Sequence, residues 1–185
     1  MFKFVARRML RKFQAHYNYD ASYMEAMLDH APAAFFKYNR IVALSRYRDV
    51  VPVEACFAAK LVGVLAEDCG PCTQLSVEMA REAGMPDDQI EAVLTGNPAR
   101  MTPAAQLGYR FARAVVDRAA DDDACRDAVR GQWGERGVIE LTLACQVVRI
   151  FPMVKAGLGH AKACRRVVIG GRPVDVNRAL VAHAA

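Results

Sequence analysis

From Val53 to Ala66 nearly every residue is apolar, with Glu54 and Lys60 the two exceptions, and the run leads straight into Cys69-Gly70-Pro71-Cys72. Its length and alanine content predict a central buried helix and not a buried strand. A second such run, Val138–Phe151, follows later, and each is flanked by shorter helical stretches, suggesting two similar halves. The chain is therefore expected to be all-α and one domain over 1–185, with an amphipathic helix in 1–20 and a loosely attached tail in 170–185.

Punctuation supports this reading. Ser22-Tyr23-Met24-Glu25 has the spacing of a capping box and predicts a helix ending near Pro32, followed by one over 33–50. Gly70 and Pro71 are read as a break, with a helix over 72–83. Pro86-Asp87-Asp88 opens a short helix closed by Gly96. Thr102-Pro103 caps a helix over 104–120. Asp121 to Asp123 open the next, to about Gly131, and Glu135–Phe151 and Lys155–Arg166 are read as separate helices divided by Pro152.

Charge and cysteine usage narrow the function classes. The net charge is +5, and Lys3, Arg7, Arg8, Arg11 and Lys12 precede the first acid, Asp20. With Phe2, Val5, Met9 and Phe13 at helical spacing, this front segment is expected to pack an apolar stripe on the body or on a neighbouring subunit. No nucleic-acid-binding module is recognised. No apolar run is read as reaching the roughly 18–20 residues that span a bilayer. Six cysteines at this length do not form the density of a secreted disulfide scaffold, so a cytoplasmic protein is expected. Cys56, Cys125, Cys145 and Cys164 sit among apolar or helical neighbours, as buried free thiols do.

Cys-x-x-Cys serves either as half a zinc site or as a dithiol that cycles with a disulfide. Zinc needs more ligands, and His16, His30, His160 and His183 are widely spread. No metal or cofactor is expected. The dithiol has a mechanism: one turn brings the sulfurs within bonding reach, and the following helix's positive end stabilises a thiolate. Glu67 and Asp68 oppose that effect.

The dipeptide between the cysteines matches thioredoxin, but no paired strands follow it. The run Val53–Lys60, then Cys69-Gly-Pro-Cys72-Thr-Gln-Leu-Ser-Val-Glu-Met-Ala, then Ala83-Gly84-Met85-Pro86 and Ile90–Leu94, resembles the AhpD-like alkyl hydroperoxidase and carboxymuconolactone decarboxylase superfamily over roughly 40–160. The resemblance implies an AhpD-like helical bundle that assembles as trimers or hexamers. It also implies peroxide or disulfide reduction by Cys69 and Cys72, with electrons from an external dithiol. The family order makes Cys72 the attacking sulfur and Cys69 the resolving one, whereas thioredoxin logic favours Cys69. Three family positions differ here: the histidine one turn after the second cysteine is Ser76, a polar residue just before that cysteine is Pro71, and the upstream glutamate is Phe57.

Glu54, Lys60, Glu67 and Glu140 are the candidates to supply the missing proton relay. Each also has a plainer role: Glu54 as a first-turn acid, Lys60 paired with Glu67, and Glu140 paired with Arg136. His160 is placed as structural. Two other functions fit the same residues: a decarboxylase-like lyase that does not need the cysteines, and a helical oligomer whose disulfide senses redox state without turnover.

Overall fold

A computed structural model describes residues 2–161 and 167–177. Among them, eight α-helices and one small hairpin form a mostly helical fold: α1 Phe2–Tyr17, α2 Ser22–His30, α3 Pro32–Ser45, α4 Val53–Leu65, α5 Gly70–Glu82, α6 Asp87–Leu94, α7 Pro103–Asp117 and α8 Asp122–Gly157, then β1 Val167–Ile169 and β2 Arg172–Val174.

The predicted central helix is α4, in which ten of thirteen residues are buried. Helices α7 and α8 are its main neighbours, and α5 follows it directly. Small residues set how closely they approach. A Cβ added at Gly108 of α7 would overlap the Ala55 carbonyl of α4, and one added at Gly63 of α4 would overlap the Cys145 carbonyl of α8. At both crossings two backbones touch with no side chain between them.

Several boundaries differ from the sequence expectation. Ser22 does not cap α2: Ala21 holds the cap position without a side-chain hydrogen bond, and Ser22 Oγ instead meets His160 Nδ1 at 2.9 Å. Helix α3 stops at Ser45, and the segment that follows is held by tertiary bonds, the Val50 and Val51 N–H groups donating to the Glu140 carboxylate at 2.8 and 3.0 Å. The Thr102 cap is present, its Oγ1 accepting from the Ala105 N–H at 3.3 Å.

The expected division between about 131 and 135 is present, since Gly134 (φ 70°, ψ −174°) leaves the helical region and splits α8 into two helical parts. The second part does not stop at Pro152 but runs through it to Gly157, where the piece expected over 155–166 ends. Burial of the Pro152 ring accompanies the missing backbone hydrogen bond there. Unbroken at Pro152, α8 contains an 18-residue stretch with mean hydropathy 1.6, long and apolar enough by length and composition to cross a membrane. That length was hidden while the segment was divided at Pro152. In the fold this stretch is 44% buried, and α8 packs on α4 and α7.

Residues 167–177, partly assigned to a tail, form a hairpin and its exit. Gly170-Gly171 make the two-residue turn with φ of 55° and 80°, values glycine adopts without a Cβ penalty. Val167, Ile169 and Val174 join the core, and the Asn177 N–H donates to the Leu94 carbonyl at 3.0 Å. The Gln74 amide of α5 grips β1 twice, donating to the Val168 carbonyl at 2.9 Å and accepting from its N–H at 2.7 Å.

At the opposite end α1 is clasped to α5. Tyr17 Oη donates to Glu82 at 2.5 Å, and His16 Nε2 lies 2.5 Å from the same carboxylate. These bonds, Tyr17 first, hold the Glu82 carboxyl below its usual range. A lowered carboxylate pKa stabilises the clasp fully above the ordinary carboxylate pKa, and the stabilisation is lost as pH falls through the lowered value. The amide-exchange protection of α1, relative to the intrinsic rate at each pH, should therefore fall under acid before that of α4. Glu82→Gln should remove this difference; equal protection of α1 at all pH values in the wild type would refute the clasp's role.

Candidate redox site

After α4 the chain turns through Asp68, which takes a left-handed φ of 44°, into an extended Cys69. Cys69 is the cap residue of α5, and its carbonyl accepts from both the Thr73 N–H (2.9 Å) and Thr73 Oγ1 (3.1 Å). Gly70 and Pro71 are thus the first turn of α5 and not a break before it. Proline suits that turn, where its missing N–H would have had no intrahelical partner. The Cα atoms of Cys69 and Cys72 lie 5.3 Å apart and the two residues form a disulfide.

Both cysteines are 4% exposed, but their surroundings differ. Cys72 reaches the wall of a groove of about 940 Å³ bounded by α1, α3, α4, α5 and α8, whose lining includes Met9, Phe13, Phe36, Phe57 and Phe151. Cys69 is not on that wall. Ser76, one turn beyond Cys72, is also on it, as is Lys60. A volume of this size is at the upper end for a small-molecule site, and the wall is largely apolar.

The four candidate relay residues separate cleanly. Glu54 accepts from Thr102 Oγ1 at 2.8 Å, which ties α4 to the start of α7. Glu67 accepts from Arg149 Nε at 2.6 Å, and so is not Lys60's partner. Glu140 is 1% exposed and accepts from the Val50 N–H (2.8 Å) and the Val51 N–H (3.0 Å); Arg136 pairs instead with Asp49 at 2.7 Å. Of the four, Lys60 alone shares the groove with Cys72. Its Nζ sits 4.5 Å from the centre of the Phe57 ring, and burial lowers its pKa while the neighbouring Cys56 raises it. Glu140→Ala should destabilise the fold by about 2 kcal/mol, because the Val51 N–H is buried and water cannot replace its acceptor. An unchanged denaturant midpoint would contradict this.

Sequence reasoning missed the residue that meets the sulfur. Tyr19 Oη lies 3.6 Å from Cys72 Sγ. Behind it, Lys155 of α8 is 1% exposed, with Nζ 4.5 Å from the Tyr19 ring centre and 5.8 Å from that of Tyr23, and it donates to the Asp20 carbonyl at 3.0 Å. Burial, and then the neighbouring Tyr23 hydroxyl, push Tyr19 well above the usual phenol range, so it stays protonated. One signal was available: Lys155 is the lone charge in the apolar stretch from Ile150 to His160.

Cys56 and Cys145 are buried free thiols, as expected. Burial pushes both up, Cys145 to about 12. Cys125 is likewise free and buried, and Cys164 and His183 lie outside the described residues. Among the described residues no group of three or more His, Cys, Asp or Glu side chains could hold a metal. No family model, curated protein or solved structure matches the chain.

Proposed function

We propose that the protein is a dithiol–disulfide oxidoreductase that reduces a hydroperoxide through Cys72 and Cys69. The observation that carries the reading is the bonded pair at the start of α5, with one of its sulfurs on the wall of a large apolar groove. A Cys72 thiolate attacks the outer oxygen of the hydroperoxide; the O–O bond breaks, an S–O bond forms, and the alkoxide takes a proton to leave as the alcohol. The Cys69 thiol then attacks the sulfenic sulfur, forming the S–S bond and releasing water. An external dithiol supplies two electrons and two protons to regenerate both thiols.

The finer fold assignment belongs to the same proposal: an AhpD-like bundle whose two halves centre on α4 and on the second part of α8. So does self-association. Helix α1 leaves Phe2, Phe4 and Met9 between 64% and 77% exposed, and burying them against a second copy would remove that surface from water.

The reduced protein should lose two thiols for each hydroperoxide consumed, and a small dithiol should then sustain many turnovers. A stoichiometric disulfide without turnover would favour a sensor instead. Peroxide loss that leaves Cys69 and Cys72 as free thiols would remove the reading altogether.

A further inference from the structure

We propose that Tyr19, held in place by the buried Lys155, is the hydrogen-bond donor that stabilises the Cys72 thiolate and makes Cys72 the attacking sulfur. This rests on the dithiol reading of the site and supplies what that reading lacks, a group that favours the ionised sulfur.

The need for such a group is physical. A thiol of ordinary pKa is only a few per cent ionised at neutral pH, and burial of the kind seen at Cys72 suppresses ionisation further. The start of α5 offsets part of this, since Cys72 is in the helix's first turn. That contribution is shared with Cys69 and does not choose between them. Tyr19 does choose, because its hydroxyl meets the Cys72 sulfur at 3.6 Å.

The Tyr19 hydroxyl also hydrogen-bonds with Tyr23, but a thiolate is the stronger acceptor for its proton, and donation to a charged acceptor favours the charged form. The ring is fixed from behind. Lys155 comes from a different helix, lies against the rings of Tyr19 and Tyr23, and is anchored on the Asp20 carbonyl. Its amino group therefore lies against the ring that meets the sulfur. Lys155 is a positioning residue, whereas Tyr19 touches the reacting atom.

Among the described residues, Asp20, Tyr23 and Tyr38 are the other titratable groups near this unit; the Asp20 charge and the Tyr23 hydroxyl act on Tyr19 directly, and Tyr38 adjoins Tyr23. Lys60, Arg46, Glu82 and Tyr17 line the groove on which Cys72 opens. The proton leaving Cys72 passes to water in that groove, so Tyr19 need not transfer one.

The test needs no peroxide, so its outcome is independent of whether the protein turns hydroperoxide over. In the reduced full-length chain carrying Cys69→Ser, the rate of Cys72 alkylation by iodoacetamide is followed against pH, with peptide mass spectrometry separating Cys72 from the other thiols. Adding Tyr19→Phe, which keeps the ring over Lys155, should raise the apparent pKa of Cys72 by about one unit and slow its alkylation at neutral pH about tenfold. Lys155→Met should shift the pKa the same way, and Lys155→Arg should restore most of the difference. If Lys155→Met does not fold, Tyr19→Phe decides the matter. An unchanged Cys72 titration in Tyr19→Phe would overturn the assignment, as would faster alkylation of Cys69 than of Cys72 in the reduced wild type.

Discussion

In the Cys69→Ser protein, one equivalent of hydroperoxide should convert Cys72 to a sulfenic acid that a dimedone-type probe captures, while Cys72→Ser should leave peroxide consumption at the background rate. The expected loss in Cys72→Ser is about a thousandfold or more, because a serine oxygen cannot take up the peroxide oxygen and be oxidised as a thiolate sulfur is to a sulfenic acid. The asymmetry follows from placement. Cys72 opens on the groove and meets Tyr19, whereas Cys69 caps α5 with its carbonyl tied to Thr73 and is off the groove wall. Attack at Cys72 needs no rearrangement of the α4–α5 connection; attack at Cys69 would need access from another side. Without Cys69, the sulfenic acid loses the thiol with which Cys72 forms its disulfide, so it should persist. Probe capture at Cys69 in the Cys72→Ser protein, with none at Cys72 in Cys69→Ser, would reverse the assignment of roles.

The second large effect concerns the frame and not the chemistry. Gly108→Ala should destabilise the protein by about 3 kcal/mol net and lower its Tm by roughly 6–12 °C. Alanine is the better helix former by about 1 kcal/mol, so propensity alone predicts the opposite sign. The clash decides. The added methyl would overlap the backbone carbonyl, carbon and Cα of Ala55, none of which can rotate aside. Helix α7 would have to lift off α4, loosening contacts along the whole crossing. Gly131→Ala provides the control, since nothing lies within 4 Å of a Cβ there and the residue is also helical. It should be neutral or stabilising. Equal Tm values for Gly108→Ala and Gly131→Ala would show that the α4–α7 crossing adapts.

The helical class and the core helix were readable because α4 is apolar on all sides, a pattern that survives without knowledge of its neighbours. Proximity of Cys69 and Cys72 was readable for a similar reason: residues three apart at a helix start are brought together by local geometry. Errors arose where tertiary contacts override local signals. Pro152 reads as a stop, yet its ring is buried and α8 continues. Ser22 reads as a cap, yet its hydroxyl is taken by His160. Glu140 reads as a partner for Arg136 one turn away, yet it serves two N–H groups about ninety residues earlier. Tyr19 and Lys155 could not have been joined to Cys72 from spacing alone. They come from three separate stretches of chain, and only the packing of α1, α2 and α8 around the start of α5 makes them neighbours.

The Gln74 clasp on β1 has a consequence for the order in which the molecule is completed. The two residues it joins are 94 positions apart, and the loop between them contains α6, α7 and α8. Closing so long a loop is slow in entropic terms and rewards the chain only once the intervening helices are in place. A polypeptide emerging from a ribosome therefore cannot make these two bonds until Val168 has cleared the exit tunnel. During synthesis α1 to α4 can already pack around the two cysteines, and the hold of Gln74 on β1 is added among the last events of folding.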